Sequence, residues 1–220
     1  MKFNVIEIFD SIEGEGIRQG LPATFIRLGG CNLNCTWCDT RYACNPKNFI
    51  PMDLEKIVAR VNPHYKRVTL TGGEPLMHEG VEELIKALVN TKSFVNIETN
   101  GAIDLSKLKI DTLGTMFTMD YKLPSSGQKE KMIWDNFINA DKNYFIKFVV
   151  GSDGDLLELE RIITEVTEFR NKNKKELPVF LATAVAGEYN PKNLADYILQ
   201  NPLLKNVILQ VQLHKVIGVK

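Results

Sequence analysis

The chemistry in this sequence is concentrated in one short segment, Gly29-Gly30-Cys31-Asn32-Leu33-Asn34-Cys35-Thr36-Trp37-Cys38-Asp39-Thr40. Three thiolates this close can wrap a soft metal centre. A four-cysteine site fills every iron of a [4Fe–4S] cluster. Three cysteines leave one iron open to a small molecule. A tetrahedral zinc site that recruits Cys44 is the competing reading, although its last gap is an uncommon zinc spacing. A disulfide pair is a weaker alternative in a chain expected to be cytosolic. Outside the loop, Gly72-Gly73-Glu74-Pro75 and Asp120-Tyr121-Lys122 put carboxylates and a lysine beside turns, and Arg27 interrupts an otherwise apolar run. Such an arginine needs a partner, either a ligand or a structural carboxylate.

The elements that must position these residues read as strands alternating with helices. Strand patterns cover Asn4–Phe9, Ala23–Leu28, Arg67–Thr71, Phe94–Glu98, Thr115–Met119, Phe145–Val150, Val179–Thr183 and Val207–Val211. Helical stripes lie between several of them. Leu54, Ile57, Val58 and Val61 follow Asp53 as a cap, and Val81, Leu84, Ile85 and Leu88 form a second stripe. Leu156, Leu159, Ile163 and Val166 form a third, and Leu194, Tyr197 and Ile198 follow Asn190-Pro191. Alternation of this kind predicts parallel βαβ units and an α/β fold. The chain has 220 residues, fewer than the ~250 of a full eight-stranded barrel, so an incomplete barrel open on one side is expected. Chemistry in such folds sits beyond the C-terminal strand ends. The cysteine loop, Gly72–Pro75 and Asn100-Gly101 each follow a predicted strand.

Composition narrows the function classes. Charged residues make up 25% and hydrophobic residues 44%, and 27 basic side chains balance 27 acidic ones. That balance does not describe a chain built to coat nucleic acid or an anionic membrane. No run approaches the ~20 apolar residues of a membrane span. No secretory signal follows Met1, so the cytoplasm is the expected compartment. All four cysteines fall between Cys31 and Cys44, unlike a dispersed disulfide framework. With no repeat or linker, one domain over 1–220 is expected, and Asn171–Glu176 reads as a solvated helix end.

The three-cysteine loop, with an aromatic before its third cysteine, and Gly72-Gly73-Glu74-Pro75 together resemble the signature of the radical S-adenosylmethionine (SAM) superfamily. A narrower resemblance is to the 7-carboxy-7-deazaguanine synthase family. It is carried by Phe9–Gly16 with Phe25-Ile26-Arg27, by Cys38-Asp39-Thr40 with Tyr42, by Asp120–Gly127, and by Leu209–Lys215. The resemblance implies an abbreviated radical SAM barrel with a mostly parallel sheet. It implies that Cys31, Cys35 and Cys38 bind a [4Fe–4S] cluster, and that Trp37, Cys38, Asp39, Gly73, Glu74, Asp120, Tyr121 and Lys122 contact SAM.

The implied substrate is 6-carboxy-5,6,7,8-tetrahydropterin, met by Ile12, Glu13, Gly14, Glu15, Arg27, Thr71, His214 and Lys220. Carboxylates there can accept N–H donors of the ring. Thr40 would contribute to a Mg²⁺ site completed by substrate and water, since Mg²⁺ prefers six oxygens. The implied reaction is radical ring contraction to 7-carboxy-7-deazaguanine with loss of ammonia, SAM being regenerated. A homodimer and a flavodoxin- or ferredoxin-type electron donor are implied partners. This chain carries Glu13 where the resemblance leads one to expect Gln. The rival readings are a glycyl-radical-enzyme activase with the same cofactors, and an iron–sulfur or zinc module without SAM chemistry.

Overall fold

The computed structural model describes residues 1–110, 113–140 and 142–220. One nine-stranded sheet runs through the chain. Its strands are β1 (Lys2–Ile12), β2 (Pro22–Leu28), β3 (Ile50–Asp53), β4 (Arg67–Gly72), β5 (Phe94–Thr99), β6 (Thr115–Tyr121), β7 (Tyr144–Val150), β8 (Val179–Ala184) and β9 (Val207–Gln210). The spatial order is β3-β1-β2-β4-β5-β6-β7-β8-β9. β1 pairs antiparallel with β2 and β3, and every pairing from β2 through β9 is parallel. Each predicted strand is present: β1 is longer at both ends, β2 and β4 to β8 are longer at one end, and β9 stops at Gln210, one residue short of the predicted Val211. The added strand β3 carries Pro51, which lacks a backbone donor and is tolerated at a sheet edge.

Helices α1 (Leu54–Val58), α2 (Val81–Asn90), α3 (Trp134–Ile138), α4 (Asp153–Lys172), α5 (Pro191–Gln200) and α6 (Leu213–Ile217) fall between or after the strands. The predicted stripe of α2 is buried in full, as is that of α4. These stripes pack on Ile26, Leu70, Ile97, Phe117, Phe148 and Phe180 in one apolar layer outside the sheet. Burying each such side chain contributes about 1.5–3 kcal/mol. The first helix stops at Val58, before Val61. Asp53 occupies its cap position, but its carboxylate pairs with Lys56 at 3.4 Å instead of capping. Asn190 does cap α5, accepting from the Lys192 amide.

Side chains alternate across a strand, and the inner face is different in kind. Met116, Phe145 and Leu181 form a small apolar plug there. Above it lie polar residues: Thr118 donates to Asn96 at 3.0 Å, and Lys147 projects from β7.

The two flanks of the sheet are brought together by the β1–β2 loop. Gln210, at the end of β9, bonds both backbone groups of Gly16, at 2.9 and 2.7 Å. The Leu213 amide donates to Gly14 O at 3.0 Å. Among the described residues β9 makes no ladder with β1 or β3. The architecture is therefore an α/β barrel left open and bridged by a loop, as an incomplete barrel requires.

Candidate functional site

A cavity of about 460 Å³ opens beyond the C-terminal strand ends. The cysteine loop forms one wall and is held from several sides. Thr36 N donates to Ser126 O at 3.0 Å, Trp37 Nε1 donates to Ser125 Oγ at 3.2 Å, and Arg41 donates to Cys35 O at 2.9 Å. Asn100 Nδ2 reaches Asn32 Oδ1 at 2.7 Å and Cys31 Sγ at 3.7 Å. The Lys122 ammonium lies 5.2 Å from the Trp37 ring centre, a cation–π contact.

Close backbone approach fixes the loop against the glycine turn. The Glu74 amide donates to Gly30 O at 2.8 Å. A Cβ on Gly73 would lie 2.2 Å from that same oxygen and 2.8 Å from Cys31 Cβ. Gly73 is thus the residue that lets the turn sit against the first cysteine.

Cys31, Cys35 and Cys38 all line the cavity and carry free thiols. Burial pushes the Cys35 thiol up to about 11 and also raises Cys31. These sulfurs ionise readily only with a cation or metal beside them. Among the described residues no three His, Cys, Asp or Glu side chains converge on a single-ion site. A zinc ion would draw four ligands to about 2.0–2.3 Å, and Cys44, though it borders the cavity, is exposed. Three separated thiols on one docked loop fit three corners of a larger iron–sulfur cluster.

The opposite wall is built from charge. Glu15, on the β1–β2 loop, accepts from Lys147 Nζ at 2.6 Å, and Asp120 accepts from Lys122 Nζ at 2.7 Å. Lys147 also lies 3.7 Å from Asp120. Burial favours neutral Glu15, but Lys147 outweighs it and holds that carboxyl below its ordinary value. Burial likewise disfavours charged Lys147, yet Glu15 and Asp120 raise its basicity. One oxygen of each carboxylate, Glu15 Oε1 and Asp120 Oδ1, is buried without a hydrogen-bond partner. Buried acceptors of this kind cost free energy unless something donates to them.

Arg27 borders the cavity and is oriented by Glu7 at 2.9 Å. Glu7 also accepts from Tyr42 at 2.8 Å and pairs with Lys220. The C-terminal segment lies over the opening. Lys215 pairs with Asp39 at 3.0 Å, Ser11 donates to Lys220 O at 2.7 Å, and the His214 ring packs where a Cβ on Gly14 would be.

Ile12, Gly14, Glu15, Arg27, Trp37, Asp39, Thr40, Thr71, Gly73, Asp120, Lys122, His214 and Lys220 accordingly share one cavity with the three cysteines. Three predicted side chains do not. Glu13 turns inward beneath the cavity, where its carboxylate pairs with Arg18 and accepts from Thr69 at 2.5 Å. Glu74 is fully buried, accepting from Leu76 N, Thr99 Oγ1 and Asn100 N. Its burial pushes the carboxyl up to about 7 despite those donors. Tyr121 points into the helical layer and donates to Glu158 at 3.1 Å. Tyr121, the last residue of β6, is sent there by strand alternation, whereas Glu13 and Glu74 lie in the turns just beyond β1 and β4 and are drawn inward by their donors. Lys147 and Glu98 also border the cavity and were missed from sequence. A lysine inside the apolar run Tyr144–Val150 was the signal for the first.

Both the sequence and the fold have relatives among known proteins. Residues 25–117 match the radical SAM superfamily. The crystal structure of QueE from Escherichia coli superposes with a TM-score of 0.76 at 22% identity, covering 97% of this chain and 95% of that one. Streptococcus suis SuiB bound to S-adenosylmethionine is a more distant likeness, with a TM-score of 0.51 at 17% identity over 82% of this chain and 48% of its own. Fold and site together define a radical SAM protein. The chain is 40% identical to 7-carboxy-7-deazaguanine synthase of Clostridium acetobutylicum over 99% of its length and 96% of the relative's. It is 36% identical to the Methanospirillum hungatei protein of the same name, over 97% and 85%. It belongs to the 7-carboxy-7-deazaguanine synthase family.

Proposed function

We propose that this chain contracts 6-carboxy-5,6,7,8-tetrahydropterin to 7-carboxy-7-deazaguanine with loss of ammonia, in the making of a queuosine precursor. Family membership supports the reaction. The observation that carries it to this molecule is the single cavity, which joins a three-thiol loop to a wall with unpartnered carboxylate oxygens.

When bound, a reduced [4Fe–4S] cluster and SAM supply hydrogen-atom abstraction. Everything else falls to the chain's own residues. Cys31, Cys35 and Cys38 hold the cluster. Trp37, Asp39, Gly73, Asp120 and Lys122 line the SAM portion, with Asp120 Oδ1 available as an acceptor. Glu74 and Tyr121 act from behind, the first by anchoring the Asn100 turn and the second by fixing β6 to α4. Arg27, pre-oriented by Glu7, meets the substrate carboxylate; guanidinium and carboxylate match in a two-point hydrogen bond. Glu15 Oε1 accepts from the heterocycle's N–H groups. Thr71, Ile12, Gly14 and His214 shape the pocket for a flat ring, and the Lys220 end closes over it, excluding water. Thr40, which lines the cavity, would offer Mg²⁺ one oxygen ligand.

Residues 1–220 act as one domain under this reading. The chain works in the cytoplasm as a homodimer, reduced by a flavodoxin- or ferredoxin-type donor. Among the described residues no helix is long and apolar enough to cross a membrane. Anaerobic incubation of reconstituted, reduced protein with SAM, the carboxypterin and Mg²⁺ tests the reaction. The ring-contracted product is expected by mass spectrometry. Fully reconstituted protein that yields none, or that places a glycyl radical on a protein instead, overturns it.

A further inference from the structure

Lys147 takes no part in the binding roles above, yet it occupies the middle of the charged wall. Its side chain is 12% exposed. It comes from β7, whereas Glu15 belongs to the β1–β2 loop and Asp120 to β6. Its ammonium bonds Glu15 Oε2 at 2.6 Å and lies 3.7 Å from Asp120 Oδ2. The oxygens left over, Glu15 Oε1 and Asp120 Oδ1, are the two that have no partner. An ammonium has three donors and no acceptor; this one hydrogen-bonds one oxygen of Glu15 and stands at ion-pair distance from the Asp120 oxygen that Lys122 also holds, which leaves the buried second oxygen of each carboxylate without a donor.

We propose that Lys147 is a positioning residue that fixes Glu15 and Asp120 together, so that one oxygen of each is presented to N–H donors of the substrate ring and of SAM. The assignment rests on the ring-contraction reading and adds to it a device linking the two halves of the cavity. Two neighbouring carboxylates would repel each other without the cation between them. Glu15 also depends on its cation to stay ionised where it is buried. The other charged groups facing this cluster are Glu98 from β5, Lys122 after β6, Asp39 from the cysteine loop and His214 from α6. Only Lys147 spans Glu15 and Asp120 among the ion pairs of the described residues.

The test compares Lys147→Met and Lys147→Arg in reconstituted enzyme, and Lys147→Met with its Glu15→Gln double variant in cluster-free protein. Losing the charge-assisted bond is expected to raise KM for the carboxypterin about ten- to a hundred-fold, with a smaller effect on kcat. The acid limb of kcat/KM should move to higher pH, because Glu15 without its cation takes up a proton more readily. Lys147→Arg should restore most of both. In cluster-free protein at neutral pH, infrared spectroscopy should show a protonated-carboxyl band in Lys147→Met that disappears in the double variant. Should Lys147→Met fail to fold, Lys147→Gln carries the same readouts, since it keeps a donor without the charge. Unchanged KM and pH limb with no new band would overturn the assignment, as would an arginine variant no better than the methionine one. An inactive wild type that still shows the infrared difference would overturn the ring-contraction reading and leave the Lys147–Glu15 link standing.

Discussion

The inward turn of Glu13 has a measurable consequence. Arg18 donates to Glu13, to Thr69 Oγ1 at 2.9 Å, and to the carbonyls of Val68 and Phe94, both at 3.1 Å. It thereby pins the β1–β2 loop, which carries Glu15, to the beginnings of β4 and β5. Glu13 is 1% exposed and Arg18 7%. Arg18→Met would leave a buried carboxylate with only Thr69 as donor, at a cost of about 3–5 kcal/mol. For a chain of this length that is roughly 6–20 °C in Tm. Glu13→Gln retains a carbonyl acceptor for Arg18 and should cost only about 1–2 kcal/mol. Combining Arg18→Met with Glu13→Leu should recover much of the loss, because the pair couples. Denaturant unfolding of the cluster-free variants gives these values, and substrate KM is read alongside. Burial pushes the Glu13 carboxyl above its ordinary value of 4.5 despite Arg18. The folded state therefore binds that proton more readily than the unfolded chain. Its contribution to stability is full below 4.5 and fades as pH rises through the higher folded value. Glu13→Gln should abolish that pH-dependent component. An Arg18→Met cost below about 1 kcal/mol would refute a buried pair. A ten-fold KM rise in Glu13→Gln at unchanged stability would return Glu13 to the substrate.

Other variants probe the docking of the cysteine loop. Gly73→Ala would drive a Cβ to 2.2 Å from Gly30 O. We expect about 1–3 kcal/mol of destabilisation and iron incorporation below half that of wild type, measured by iron and sulfide analysis; normal incorporation would contradict the close approach. Asp155 accepts from Ser125 N and Oγ and from Gly151 N, at 2.8, 2.5 and 2.8 Å. Asp155→Ala should cost about 2–4 kcal/mol and weaken SAM binding by releasing the Ser125 contact to Trp37, as calorimetry would show. Tyr121→Phe removes a hydrogen bond worth about 1 kcal/mol and should leave SAM affinity unchanged. A large loss of affinity would place Tyr121 back in the SAM site.

How far the sequence could be read follows from the range of each interaction. The interior parallel strands were legible because runs such as Phe145–Val150 are buried on both faces. The stripes of α2 and α4 were legible because their period of 3.6 persists for several turns. Helices α3 and α6, five residues each, carry too little pattern and are held by tertiary contacts. The same limit applies inside the site. Glu13 and Glu15 look equivalent in Ile12-Glu13-Gly14-Glu15, yet one meets Arg18 below the cavity and the other Lys147 within it. Those partners lie five and 132 residues away, and only the folded barrel selects between them. The cysteine spacing was informative because the whole constellation is local. Lys147 was overlooked because its two carboxylates arrive from elsewhere in the chain, Glu15 from the β1–β2 loop and Asp120 from β6.

The central claim is a ring contraction in which SAM serves as a recycled cofactor in this cavity. Its most direct test is the ratio of product to SAM consumed, measured anaerobically with reduced, fully reconstituted protein and the carboxypterin. The account predicts many molecules of 7-carboxy-7-deazaguanine, with matching ammonia, for each SAM lost. No product, or one SAM destroyed for every product formed, would contradict it.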